Sequence, residues 1–110
     1  GPRPIWMSYE LKENGTVKKG KLFFDSTEYR KKHRSRKGGN DGMKVDVDGN
    51  IWATGPGGVL VFSPKGKHLG TVLTGQRTAN CAFGDDGSTL YMTADMYLMR
   101  IKTSIKGNGF

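Results

Sequence analysis

A cluster of oxygen-bearing side chains in the middle of the chain has the composition of a calcium site. Asp46, Asp48 and Asn50 alternate along the sequence as the ligands of a calcium-binding loop do. The helix–loop–helix form of such a loop has glycine at its sixth position and glutamate at its twelfth. Here Gly49 stands at the fourth position and no glutamate occupies the twelfth. We therefore predict a β-turn at these residues rather than an EF-hand.

Two further patterns could support chemistry, and each has a simpler interpretation. Cys81 is the only cysteine, so the chain forms neither an internal disulfide nor a cysteine-based zinc site. A cysteine nucleophile would need His33 or His68 as its base, and both lie in polar, turn-like sequence. We predict that Cys81 is a small buried residue. Asp41 precedes Gly42, and an aspartate in that position is most often a turn residue or cap.

A basic segment carries most of the net charge of +8. The remaining cations are nearly balanced by the ten acidic residues. Clustered cations displace counterions from phosphates, so one alternative function is a non-enzymatic binding module whose basic loop 30–37 contacts an anionic partner such as nucleic acid. The favoured alternative is a solvated loop, because Tyr29 and His33 are the only rings nearby and offer no interleaved stacking platform. The cations are Arg30, Lys31, Lys32, Arg34, Arg36 and Lys37.

Short strands joined by tight turns must position these residues. Residues 51–54 alternate between two faces, and 59–62 form the continuous apolar run of a strand buried on both faces. No segment keeps helical apolar spacing over three turns, and none approaches the roughly 20 apolar residues of a membrane helix. Asn-Gly or Asp-Gly pairs supply the turns at 14–15, 48–49 and 86–87. The predicted strands are 5–11, 16–24, 43–47, 50–54, 58–63, 68–74, 79–84, 89–94 and 97–102.

An internal echo indicates how the strands are grouped. Residues 47–54 resemble 85–93 at an offset of 38. Repeats of about 40–50 residues with four short strands each are typical of propeller blades. We predict an all-β fold in one partial β-propeller domain of about two to two and a half blades. Its parts are the end of one blade at 5–25, a basic inter-blade loop at 26–40, a full blade at 41–75 and most of a further blade at 78–103.

The motifs, taken in order, resemble one known family. Residues 40–54, NDGMKVDVDGNIWAT, are similar to the blade entry of the gluconolactonase/regucalcin (senescence marker protein) family. The resemblance is strong over 40–103 and looser over 4–25. It implies a six-bladed propeller that hydrolyses lactones and related esters, with one divalent metal, usually calcium, at the bottom of a central tunnel.

The resemblance also implies roles for two residues. Asp41, the aspartate of the family's DGM motif, corresponds to a metal ligand and general base, with the metal acting as Lewis acid on the substrate carbonyl. Asn80 opens the first strand of the next blade and is expected to line the same tunnel or to serve as an outer-sphere ligand. The family's other ligands, a glutamate and an asparagine, come from earlier blades.

The length of the chain limits these expectations. Six blades need roughly 270 residues, and this chain has 110. We expect a C-terminal fragment, or a part that assembles with the remaining propeller or with further copies of itself. One carboxylate holds calcium poorly, so the isolated chain is expected to be inactive.

The expected partners follow from the same interpretation. They are a small lactone or ester and the rest of the propeller, while nucleic acid and membranes are not expected. The absence of a visible signal peptide and of disulfides slightly favours the cytoplasm, but the natural N-terminus is expected to be missing. The sequence therefore does not identify the cellular compartment.

Overall fold

The computed structural model describes residues 4–110, which form three antiparallel sheets in chain order. We call these sheets the first, second and third blades. The first contains β1 (Ile5–Ser8) and β2 (Lys21–Asp25), and a short helix α1 (Thr27–Lys32) follows it. The second contains β3 (Met43–Val45), β4 (Ile51–Gly55), β5 (Gly58–Phe62) and β6 (His68–Leu73). The third contains β7 (Thr78–Gly84), β8 (Thr89–Ala94) and β9 (Tyr97–Lys102).

Two local predictions differ from the structure. The first hairpin is paired as a sheet only over β1 and β2, with a register shift between Trp6 and Met7. Beyond Ser8 it continues as a single bridge between Leu11 and Val17. Those residues are exposed, so apolar burial does not support the longer strands predicted at 5–11 and 16–24. Helix α1 was also not predicted within the loop 26–40. Glu28 in its first turn and three cations in its last turn complement the helix dipole.

Helix α1 is only six residues long. None of the helices in residues 4–110 has the length and apolarity needed to cross a bilayer.

Each pair of neighbouring blades encloses its own apolar core. Successive side chains of β4 and β5 enter different cores, because alternate residues of a strand point to opposite faces. Both faces of the second blade are thus covered, as the continuous apolar run 59–62 predicts. The core between the first and second blades contains Trp6, Ala53, Leu60 and Phe62. The core between the second and third contains Trp52, Val59, Cys81, Phe83, Leu90 and Met92.

A buried carboxylate fixes the turn between β3 and β4. Asp46 is 1% exposed, and its Oδ1 accepts hydrogen bonds from the backbone N–H groups of Asp48 (3.0 Å) and Asn50 (2.9 Å). Its Oδ2 accepts from the Asn50 amide and from the Trp52 indole N–H, both at 2.9 Å. Gly49 completes the turn with a φ of +83°. The predicted β-turn is confirmed, and the Asp46 oxygens are occupied by protein donors rather than directed at an ion.

The hydrogen bonds at Asp46 also set its acidity. Burial of the carboxyl acts to raise its pKa, but the hydrogen bonds from Trp52, Asn50 and Asp48 outweigh burial, so the pKa lies below its ordinary value.

The C-terminal residues tie the second blade to the third. Gly107 forms an isolated antiparallel bridge with Asp46, and its N–H donates to the backbone O of Gly87 at 2.9 Å. A Cβ at position 107 would lie 2.4 Å from the Phe83 ring, so only glycine fits this crossing without displacement. The segment therefore joins the β3–β4 turn of the second blade to the β7–β8 turn of the third.

Replacing Asp46 by asparagine should destabilise the protein. The Asp46→Asn side chain has one acceptor oxygen instead of two, so a donor that it bonds at present loses its partner. We expect the free energy of unfolding at pH 7 to fall by about 1–3 kcal/mol, measured by urea unfolding with circular dichroism. The folded pKa is below the unfolded one, so the wild-type contribution is complete above the unfolded pKa and is lost as pH falls through the folded value.

The variant should therefore approach wild-type stability as the solution is acidified. Asp48→Asn is the matched control, because the Asp48 side chain is exposed in the same turn. Equal losses in the two variants at pH 7 would contradict the role of Asp46.

Candidate functional site

The two residues singled out by the family resemblance lie at one end of neighbouring blades. Asp41 precedes β3, the first strand of the second blade, and Asn80 lies near the start of β7, the first strand of the third. Both residues are exposed. The backbones meet where the N–H of Gly42 donates to the O of Ala79 at 3.1 Å. We call this end of the sheets, where β3 and β7 begin, the site end.

Gly42 permits this close approach. A Cβ built there would lie 2.1 Å from Asn80 Oδ1 and 3.1 Å from the Asn80 Cα. Thr54 of β4 holds the same glycine through two hydrogen bonds. The Thr54 N–H donates to the Gly42 O at 2.9 Å, and the Gly42 N–H donates to the Thr54 Oγ1, also at 2.9 Å. Thr54 is fully buried. These contacts fix the backbone that carries Asp41 beside Asn80.

Asn40 holds the other side of this segment. Its Nδ2 donates to the backbone O of Ile5 in β1 at 3.3 Å. Its Oδ1 is buried and has no hydrogen-bond partner within the described part of the chain. An unpaired buried acceptor has a free-energy cost, which lowers the stability of this part of the fold. Asn40 and Thr54 both stand in the motif at 40–54, but the roles of these two residues were not predicted, because their contacts join residues distant in sequence.

The donors at the site end fit the chemistry of calcium but do not complete its coordination. Asp41 offers a carboxylate and Asn80 an amide oxygen, the ligand types that this hard cation prefers. Asn80 Oδ1 also accepts the Cys81 N–H at 2.9 Å, which leaves it one lone pair. Across residues 4–110, no group of three or more His, Cys, Asp or Glu side chains could hold a metal ion. Calcium takes six to eight oxygens, so a bound ion would need ligands from elsewhere.

Cys81 is a core residue, as predicted. It is 3% exposed between the second and third blades, and its thiol donates to the backbone O of Trp52 at 3.6 Å. Burial raises the pKa of the Cys81 thiol, although the charge of Lys44 acts in the opposite direction. A thiol held protonated in this way is not an activated nucleophile.

The two histidines pack on the other side of the second blade. The Tyr29 ring lies 4.6 Å from the His33 ring and 5.2 Å from the His68 ring. His33 lies in the turn that follows α1, as predicted, whereas His68 begins strand β6, so the turn prediction was wrong for His68. Both imidazoles contact the Tyr29 ring. Burial, followed by the nearby charges of Arg36 and Lys32, lowers the pKa of His33 below its ordinary value.

The basic segment is partly built into the fold. Arg36 donates to the Tyr29 hydroxyl and lies over its ring at 5.6 Å, while that hydroxyl bonds to Thr71 of β6 at 3.0 Å. Arg30 Nε is buried and has no hydrogen-bond partner among residues 4–110. The solvated-loop interpretation thus suits the exposed cations but not these two arginines. The exposed cations are Lys31, Lys32, Arg34 and Lys37.

Three antiparallel sheets in series, each packed face to face with the next, define part of a β-propeller. This confirms the predicted all-β, partial-propeller fold. The chain belongs to the SMP-30/gluconolactonase/LRE-like family, whose defining region matches residues 2–95. The resemblance stated from the motifs is therefore confirmed.

Known proteins support this assignment. A gluconolactonase from Zymomonas mobilis is 36% identical over an alignment of 107 residues, and the match covers 94% of this chain and 29% of that protein. An X-ray structure assigned to the gluconolactonases superposes with a TM-score of 0.80 at 35% identity, covering 94% of this chain and 33% of its own. The chain thus spans about a third of the length of these relatives.

Two more distant structures share the fold. A luciferin-regenerating enzyme superposes with a TM-score of 0.77 at 20% identity, covering 96% of this chain and 40% of its own. A gluconolactonase from Xanthomonas campestris superposes with a TM-score of 0.70 at 23% identity, covering 92% and 29%.

Adding a methyl group at Gly42 should separate the two site strands. In Gly42→Ala the new Cβ displaces the Asn80 amide, and we expect a loss of about 1–3 kcal/mol in the free energy of unfolding, measured by urea titration. Gly70→Ala in β6 is the control, because a Cβ there meets nothing within 4 Å. Similar stabilities of the two variants would show that the approach at Gly42 is not tight.

Proposed function

We propose that this chain supplies Asp41 and Asn80 to the catalytic centre of a metal-dependent lactonase. The substrates are sugar lactones or related esters, and the activity belongs to the protein formed together with the remaining blades. The observation that carries the proposal is the meeting of Asp41–Gly42 with Asn80 at the site end. The 36% identity to a gluconolactonase supports the class of reaction.

Asp41 is suited to act as the general base. It is an exposed carboxylate, and the backbone of the next residue, Gly42, is held by hydrogen bonds with Thr54 and Ala79. It accepts a proton from the water whose oxygen bonds to the lactone carbonyl carbon. The ring C–O bond then breaks, and the proton passes to the departing alkoxide, which gives the open-chain hydroxy acid. The Asn80 amide lies beside it and can donate a hydrogen bond to a substrate oxygen.

The oxygen donors at this end favour calcium among the divalent metals. Asp41 would hold the ion through one carboxylate oxygen, Asn80 would line the site, and the remaining ligands would come from blades outside this chain. When bound, the ion supplies Lewis-acid polarisation of the substrate carbonyl. Because the set of ligands here is incomplete, the chain of 110 residues alone is expected to be inactive.

Removing the Asp41 carboxylate should abolish turnover. In the protein containing all its blades, we expect Asp41→Ala to lower kcat/KM for glucono-1,5-lactone by at least about 100-fold, since the general base is lost. Hydrolysis is followed by pH-stat, and thermal unfolding checks that the variant is folded. Asp95→Asn is the control, because Asp95 is an exposed aspartate in the β8–β9 turn at the same end.

Chelation tests the metal separately. Treatment with EDTA should remove activity, and added calcium should restore it. Unchanged turnover in chelator would refute metal dependence, and full activity of the Asp41→Ala variant would refute the role of this residue.

A further inference from the structure

The site end of the sheets also carries the basic segment. Asn40 bonds to Ile5, whose strand partner is Asp25, the last residue of β2. The chain therefore leaves the first blade at the site end, and residues 26–41 cross that end toward the start of β3. The β4–β5 turn and the β6–β7 connection lie there as well, because antiparallel strands alternate in direction.

Backbone contacts place two cations side by side at this end. The N–H of Gly57 donates to the O of Lys37 at 2.8 Å, which docks the basic segment on the β4–β5 turn. A Cβ on Gly38 would lie 3.6 Å from the Arg77 Cα, so the Lys37–Gly38 backbone runs directly past Arg77. Arg77 is itself held where its O accepts the N–H of Asp95 at 2.8 Å.

These two cations are close to the proposed catalytic residues. Lys37 stands four positions before Asp41, and Arg77 three positions before Asn80. A chain advances at most about 3.6 Å per residue, so the Cα atoms of Lys37 and Asp41 are within about 14 Å, and those of Arg77 and Asn80 within about 11 Å. An extended Lys or Arg side chain and a substituted sugar lactone together cover these distances.

Lys37 and Arg77 are also free to bind a ligand. Both are exposed, and neither forms an ion pair with any residue of the described chain 4–110. Arg30 and Arg36, by contrast, are partly built into the fold: Arg30 Nε is buried, and Arg36 donates to the Tyr29 hydroxyl. These two arginines add fixed positive charge to the same end of the sheets. Unpaired cations at the rim of a site attract and orient anionic ligands.

On the basis of the proposed lactonase function, we infer that Lys37 and Arg77 select lactones that carry an anionic group. The group is a carboxylate or a phosphate, which share the anionic oxygens that these side chains bind. The planar guanidinium of Arg77 suits two parallel hydrogen bonds to either group, and Lys37 adds a second positive charge. The ester carbonyl of the same substrate then lies toward Asp41.

The test compares neutral and anionic substrates in the protein containing all its blades. The probes are glucono-1,5-lactone, its 6-phosphate and the carboxylate-bearing glucaro-1,4-lactone, at low and high salt. We expect wild-type kcat/KM to be about 10-fold higher for an anionic lactone, the size of one charge-assisted hydrogen bond. The Lys37→Gln/Arg77→Gln double variant should lose that preference with little change on the neutral lactone. High salt should reduce the preference in the wild type.

Lys65→Gln is the matched control, because Lys65 is exposed in the β5–β6 turn at the opposite end of the sheets. It should keep the wild-type preference. A preference for only the phosphate or only the carboxylate identifies which group is recognised.

Two outcomes would overturn the inference and leave the proposed function standing. One is equal hydrolysis of neutral and anionic lactones by the wild type, and the other is an unchanged preference in the double variant. Failure to hydrolyse any of the three lactones would instead refute the proposed function, and the inference with it.

Discussion

The close approach of two backbones at Gly42 is the constraint on which the site end depends. Position 42 carries no side chain, so the start of β3 can contact both Ala79 and the Asn80 amide. Thr54 holds the same residue from within the second blade. Asn80 is thus positioned by strand β7, and Asp41 stands two residues before β3 on a backbone held by hydrogen bonds to β4 and β7. Support of this kind from neighbouring elements favours precise placement of functional groups.

Much of the fold could be predicted because its determinants are local. The run 59–62 indicates a strand covered on both faces, and Val59 and Leu60 do enter different cores. The Asp-Gly turn at 48–49 is specified by residues within a few positions of Asp46. Helix α1 was missed because its sequence carries no clear local signal. The six residues of α1 are too short to show helical periodicity, and the helix rests on charge placement and packing instead.

The site was predictable only in part, and the limit is again one of distance along the chain. The motif at 40–54 and the propeller repeat predict equivalent positions for Asp41 and Asn80 in adjacent blades. In the structure the residues next to them, Gly42 and Ala79, are joined by a backbone hydrogen bond. The contact between Tyr29 and Thr71 joins residues 42 positions apart, and no pattern in one sequence specifies it. The same holds for the burial of Arg30 Nε and Asn40 Oδ1, whose cost depends on groups distant in sequence.

The bridge between Gly107 and Asp46 has a consequence for how the molecule forms. It joins the last residues of the chain to a turn in the second blade, so it can close only after the whole third blade has been synthesised and ordered. Contacts between residues so far apart in sequence raise the contact order, which is associated with slower folding. Removing residues 106–108 would also free backbone groups in the turns of both blades at once, because Val47, Val45 and Gly87 all bond to this segment.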